Sequence, residues 1–406
     1  MDSMLKWVWL TTLNGMCSEK ITSLLDRFDS IDDIYSAKES DYKDIPLIKK
    51  HDIVQLCNKN FTKAEEAILR TQVCGGYIID FDSEKYPQSL KRLVYPPYVL
   101  YVKGNFDFCT ERVYVGVVGT RDCTEYGQAV TSKLCSDFAS SGITVVSGMA
   151  LGVDSIGATA ALRMGAETIA VLGCGIDMPY PPSNADLMEN IINHGAVISE
   201  YPPMSQPLRT HFPERNRIIA ALCDCIVVTE APIRSGALIT AKYAYEMGIK
   251  IYSVPGNVFM PNSIGTNLLI KAGAEPILNS KDLIEEFELR LRTVKKPLPG
   301  QNFIREKLKN EIRQEDKKTE KIQITDNSTH QEGIENISIE DERFSMLSEN
   351  EKKLIKLLIE NNKMSVDELI RASGLTTKEV NSTLPLLEIG GFVKKYAGNF
   401  YSLANY

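Results

Sequence analysis

No stretch of this 406-residue chain approaches the ~18 unbroken apolar residues of a membrane span. Its first residues, MDSMLKWVWL, lack the basic leader and apolar core of an export signal. A cytoplasmic protein without a membrane partner is therefore expected. Cysteine is sparse and unpatterned: nine residues, an odd number, with only Cys223 and Cys225 close together. Those two alternate within the strand-like run CDCIVVTE, which is wrong for a CxxC zinc knuckle, so reduced thiols and no metal are expected. Positive charge is not in excess either. Forty-six Lys and Arg against 53 Asp and Glu leave −7, which excludes a generic polyanion binder. Any nucleic-acid site must be a local concentration of Arg and Lys. What remains, 43% apolar and 24% charged residues, is the composition of an ordinary globular chain of two or three domains.

Residues 1–75 read as short amphipathic helices: Trp7, Leu10 and Leu13, then Ile21, Leu24, Leu25 and Phe28, recur at spacings of three and four. Gly15 breaks the first pair, and Ser18 looks like the cap of a restart. A small helix-hairpin-helix or SAM-like module fits, serving either to hold a DNA phosphate or to dock against a neighbour. Over 76–290 strand-like and helical runs alternate, beginning with Val113–Val118 and Gln128–Ser140 and ending with Lys250–Val254 and Gly265–Lys271. The strands are nearly continuous in Val, Ile and Ala, as in parallel strands buried on both faces. The pattern predicts an α/β fold: an extended, Rossmann-like, doubly wound parallel sheet, with Tyr77–Phe81 and Tyr98–Val102 as added strands. Residues 291–343 are poor in apolar side chains and read as a charged linker.

The last unit, 344–406, has Leu354, Leu357 and Leu358 on one helix and a capping-box spacing from Ser365 to Glu368. Gly374 turns the chain, a third helix is expected over Thr376–Ile389, and two short strands flank Gly398. That is a winged-helix layout. Its recognition-helix candidate carries Lys378 but also Glu379 and Glu388, which suits a protein contact better than a DNA groove.

Glycine loops follow the predicted strands. Gly119-Thr120-Arg121 ends the first, with a helix opening near Thr124 or Glu125, and Ser147-Gly148 opens the loop that runs to Gly152. Gly173-Cys174-Gly175 is a third, and Arg234-Ser235-Gly236 opens another helix. Strand, tight turn and helix N-terminus form an anion site, and all four should lie at the carboxyl edge of the sheet. Neither GxxxxGK[ST] nor a strand-linked GxGxxG is present. Beside these loops, Leu-Arg-Thr-His-Phe-Pro-Glu-Arg-Asn-Arg (208–217) sets Arg209, His211, Arg215 and Arg217 around Phe212. A cationic track beside a ring is how single-stranded nucleic acid is held without reading sequence. The alternative is a buried Phe212 with arginines paired to local carboxylates.

Val-Gly-Thr-Arg (118–121), Ser-Gly-Met-Ala (147–150), Ile-Ala-Val-Leu-Gly-Cys-Gly-Ile-Asp (169–177), Phe-Pro-Glu-Arg-Asn-Arg-Ile-Ile-Ala (212–220), Ser-Gly-Ala-Leu-Ile-Thr-Ala (235–241) and Val-Pro-Gly (254–256) together resemble the DprA/Smf family. The resemblance implies a dimeric bacterial DNA-processing protein that binds single-stranded DNA and helps load RecA recombinase during natural transformation, without a cofactor or reaction of its own. Carried over by motif, Arg121, Arg209, Phe212, Arg215 and Arg217 would touch DNA. Gly119, Thr120, Ser147, Gly148, Ser235 and Gly236 would supply backbone or hydroxyl contacts to phosphate. Leu151, Ala158 and Glu167 stand where relatives often carry a basic residue, a His and a basic residue, which is expected to weaken the cationic rim. A nucleoside-monophosphate phosphoribohydrolase on a similar fold remains the rival, needing Asp154 or Asp177 as its carboxylate. A transcription regulator acting through the winged helix is a third reading.

Overall fold

The computed structural model describes residues 3–293 and, as a second unit, 349–403 except for 362, 378, 381, 382, 385, 386, 388–392 and 397–399. The chain opens with α1 (Ser3–Thr12), α2 (Ser18–Leu25), α3 (Ile31–Ser36), α4 (Lys50–Cys57) and α5 (Thr62–Val73). Two strands follow, β1 (Gly76–Asp80) and β2 (Val99–Gly104), then β3 (Tyr114–Val118), α6 (Glu125–Ser140), β4 (Thr144–Ser147), α7 (Val153–Arg163) and β5 (Thr168–Leu172). The alternation continues through α8 (Ala185–His194), β6 (Ala196–Ser199), α9 (His211–Leu222), β7 (Cys225–Val228), α10 (Ala237–Glu246), β8 (Lys250–Ser253), α11 (Pro261–Lys271) and β9 (Glu275–Pro276). Two short helices, α12 (Ser280–Glu286) and α13 (Glu288–Thr293), close the unit.

All nine strands form one sheet in the order β1-β2-β6-β5-β4-β3-β7-β8-β9. From β6 to β9 every pairing is parallel, and each of β3 to β7 is buried throughout, which is why these strands read as unbroken apolar runs. The order β5-β4-β3-β7-β8-β9 is that of a Rossmann sheet and reverses direction between β3 and β7. The expected extension is present, but β1 and β2 run antiparallel to their neighbours. No helix among the described residues is long and apolar enough to cross a membrane.

The helical segment shares its core with the sheet. Trp7, Leu10, Ile21 and Leu24 belong to the same buried cluster as Tyr98, Tyr101, Leu172 and Val197. Trp7 stacks on Tyr98 at 5.3 Å, and its indole N–H donates to Asp82 Oδ2 at 2.7 Å. The change near residue 75 is thus a change of secondary structure without a break in packing. Ser18 does not cap α2: Cys17 holds that position, and the Ser18 hydroxyl donates to Glu200 Oε1 at 2.8 Å.

In the second unit, α14 (Glu349–Asn361), β10 (Lys363–Ser365), α15 (Val366–Ser373), β11 (Val393–Tyr396) and β12 (Phe400–Leu403) pack around Leu354, Leu358, Leu369 and Tyr401. The strands pair as β10-β12-β11, the wing of a winged helix. Ser365 and Glu368 make the expected capping box, with Ser365 N–H donating to Glu368 Oε2 at 2.8 Å. Gly374 ends α15 at φ +68°. The expected linker beyond residue 293, the recognition-helix residues Lys378 and Glu388, and the wing tip Gly398 lie outside the described residues.

Candidate nucleic-acid interface

The reversal of strand order at β3 and β7 leaves a crevice at the carboxyl edge, where open α/β sheets bind ligands. A cleft of about 640 Å³ lies there. The β3 loop supplies Gly119, Thr120 and Arg121, α9 and its approach supply Arg209, Phe212 and Arg215, and Ser235 and Gly236 open α10. Eight of the eleven expected residues therefore line one cavity. Ser147, Gly148 and Arg217 do not.

The glycine loops after β3 and β4 are closed by the protein's own carboxylates. At the start of α6, where an anion was expected, Glu230 accepts from Thr124 N–H (2.9 Å) and from the Thr124 hydroxyl (2.5 Å). Its backbone carbonyl accepts Thr120 N–H at 2.7 Å, and the residue is 2% exposed. A side chain at Gly127 would collide with that carboxylate. In the second loop Asp154 Oδ2 accepts Gly148 N–H at 2.9 Å and, more weakly, Ala150 N–H at 3.4 Å. Gly148 makes room for the Arg215 guanidinium, not for a ligand, because a Cβ there would strike it.

The start of α10 is different. Ser235 Oγ accepts Ala237 N–H at 3.2 Å, and nothing lies within 4 Å of where a Gly236 side chain would be. Leu238 and Ile239 N–H donate to the Ser235 and Gly236 carbonyls (both 3.1 Å), so local groups take the first amides, and this helix N-terminus borders the cleft without an internal carboxylate over it.

Segment 208–217 is not a linear track, because α9 begins at His211. Phe212 and Arg215, three residues apart, share a face, whereas Arg217 is rotated by about 200° from Arg215. Arg215 is 5% exposed. Its Nη1 donates to the carbonyls of Gly148 (3.0 Å) and Val171, and its Nε to Asn216 Oδ1 (3.1 Å). Burial, offset by nearby Asp154 and reinforced by Arg121, pulls its pKa down to about 10, so the group stays charged at neutral pH. Burial also pushes the Asp154 carboxyl up, against the pull of Arg215 and the two N–H donors.

Arg217 points to the other side and pairs with Glu200 (2.7 and 2.9 Å) beside Ser18. Burial opposes its charge, yet Glu200 outweighs burial and raises its pKa. This arginine ties the helical segment to the sheet; it is paired to a carboxylate, as in the alternative reading of 208–217, and is not part of a cationic track.

Arg121 and Arg209 are exposed at the rim. The Arg121 guanidinium lies 5.8 Å from the centre of the half-buried Phe212 ring, whose other neighbour is Tyr180 at 5.0 Å. Tyr180 was not anticipated; the proline-rich run that holds it follows the third glycine loop and was the available signal. Glu230 was missed because its partners lie more than 100 residues away.

The departures also resolve differently. Leu151 is exposed next to the cleft residue Ala150, but Ala158 is buried in the core and Glu167 pairs with Arg112 just before β5, at the amino edge. Only one of the three positions bears on the rim. Asp177 accepts Met204 N–H through both oxygens (2.9 and 3.1 Å) and holds its loop.

A doubly wound parallel sheet with a cleft at its switch point defines a Rossmann-type α/β protein. Comparison with known proteins makes the assignment specific. Residues 77–288 match the family described as DNA recombination-mediator protein A, and 345–399 match the DprA winged helix domain. Protein Smf of Synechocystis is 44% identical over 50% of this chain and 52% of its own length, so the chain spans about half of that relative. DNA processing protein DprA of Streptococcus pneumoniae is 41% identical over 50% of this chain and 71% of its own. The X-ray structure of the Streptococcus pneumoniae protein superposes with a TM-score of 0.62 at 30% identity, covering 70% of this chain and 98% of that one. The chain belongs to the DprA/Smf family.

Proposed function

We propose that this protein binds single-stranded DNA in the switch-point cleft, largely independently of sequence, and as a homodimer delivers the strand to RecA recombinase. The observation that carries the DNA reading is the convergence of the exposed Arg121 and Arg209 with the Phe212–Tyr180 ring pair, the buried Arg215 charge behind them and the carboxylate-free start of α10. The cations and the helix end suit phosphates, and the rings suit a base. Stacking is worth about 1–3 kcal/mol per base. A base entering between Arg121 and Phe212 replaces a cation–π contact of about 0.5–1 kcal/mol, so the exchange favours binding.

The polar side chains that line the cleft support sequence independence. Asn216 accepts from Arg215 and donates to the Gly236 carbonyl, Thr120 Oγ1 accepts Asp122 N–H, and Ser235 Oγ accepts Ala237 N–H. These groups are committed within the protein, which leaves few donors and acceptors for reading base edges. Asp154 is the one carboxylate among the lining residues. Its bonds to Gly148 and Ala150 suit a scaffold, which supports a non-catalytic protein over a phosphoribohydrolase.

The recombinase half of the proposal rests on family membership. The test is a titration of the full chain with oligo-dT, a mixed-sequence single strand and a duplex across salt. Both single strands should bind alike and ahead of the duplex. A duplex preference, or free base released from AMP, would overturn the reading.

A further inference from the structure

The loop between β8 and α11 carries three consecutive exposed apolar residues, Val258 (71%), Phe259 (90%) and Met260 (52%). Scattered exposed hydrophobics are ordinary, but an apolar run held out in water by an ordered backbone is not. Asn257 Oδ1 accepts Phe259 N–H at 2.9 Å, and Met260 N–H donates to the Asn257 carbonyl at 3.0 Å. Asn267 clamps Gly256 from both sides (3.2 and 3.0 Å). The half-exposed Tyr126 stands beside the loop, its hydroxyl donating to the Pro255 carbonyl at 3.0 Å.

We propose that this tip, Val258-Phe259-Met260 with Tyr126, is a second stacking surface for the single-stranded DNA that leaves the cleft; the inference rests on the cleft reading above. Continuity supports it. Asn262 donates to the Asp122 carbonyl at 2.8 Å, next to Arg121, and its own carbonyl accepts Ala231 N–H at 2.8 Å, next to the cleft residue Pro232. Phe259 is three residues from Asn262, so their Cα atoms are at most about 11 Å apart. The tip thus stands at the same sheet edge, within reach of the following nucleotides.

Charge supports it as well. In a chain of net charge −7, residues 231–245 and 247–274 contain no acid, so the segment that carries the tip adds no repulsion of its own toward a polyanion. The exposed Asp122 and Glu125 on the neighbouring loop disfavour a phosphate seat here and leave stacking as the contact.

The test compares the full chain with Phe259→Ala and Phe259→Trp, using oligo-dT of about 4 and about 16 nucleotides, the range of single-strand site sizes. Phe259→Ala should weaken the longer strand roughly five-fold or more while leaving the shorter strand and the salt slope unchanged. Phe259→Trp should retain the affinity. Because Phe259 is 90% exposed, the substitutions do not threaten folding. An unchanged ratio of long-strand to short-strand affinity in Phe259→Ala overturns the proposal. So does a change of oligomeric state by light scattering with that ratio unchanged, which would assign the tip to a second copy of the chain. Failure of the cleft reading shows separately, as wild-type binding of the short strand by Arg121→Ala.

Discussion

The carboxyl edge of the sheet holds two kinds of glycine-containing loop. After β3 and β4 the backbone amides converge as in an anion site, but Glu230 and Asp154 already sit in them. At the start of α10 the same arrangement of turn and helix N-terminus has no carboxylate over it and opens into the cleft. The three loops look alike in sequence. What separates them is which group takes each N–H: a distant carboxylate after β3, a carboxylate six residues on after β4, and the loop's own oxygens at α10. Helix α9 repeats the contrast on a smaller scale: Arg215 faces the cleft, while Arg217, two residues on, is consumed by Glu200.

The contrast is broken most severely at Arg217. Arg217→Ala leaves Glu200 without its cation in a nearly buried pair, and loss of one partner in such a setting costs about 3–5 kcal/mol. Urea denaturation should record that loss; a stability within 1 kcal/mol of wild type would return Arg217 to the list of free cations. Glu230→Ala is next. It removes two hydrogen bonds to a charged acceptor at the α6 N-terminus, and about 1.5–3 kcal/mol is expected for such a bond. The emptied seat should then take inorganic phosphate, seen as a melting temperature that rises with phosphate in the variant and not in the wild type. Phe212→Ala should cost single-strand binding about 1–3 kcal/mol with an unchanged salt slope and little change in fold stability. An effect confined to stability would make the ring a core residue.

Most of the fold was legible in the sequence because its strands are buried on both faces. Thr168–Leu172 and Ala196–Ser199 stand out as apolar runs whatever their partners. The direction of β1 and β2 was not legible: Val99–Val102 are as buried as the parallel strands, so burial does not tell that β2 pairs antiparallel on both sides. At the site, Arg209, Phe212 and Arg215 stood out because cations around a ring are a local signal, whereas Arg121 came from its glycine loop and the family motif. Arg217 was misplaced for the same reason: a local reading sees a fourth cation and does not see Glu200. Had the helical phase of α9 been applied from His211, its opposite orientation to Arg215 would have been evident.

The most direct discriminator is the salt dependence of single-strand binding, measured on one oligonucleotide for the wild type, Arg121→Ala and Arg217→Ala. Each phosphate contact contributes about 0.7 to the slope of log K against log salt for a single strand. Arg121→Ala should lower the slope by about that amount with stability unchanged, and Arg217→Ala should leave the slope as it is in the molecules that remain folded. Equal loss of slope in both variants, or a loss in Arg217→Ala alone, would contradict a cleft in which the exposed Arg121 meets the strand while Arg217 is held by Glu200.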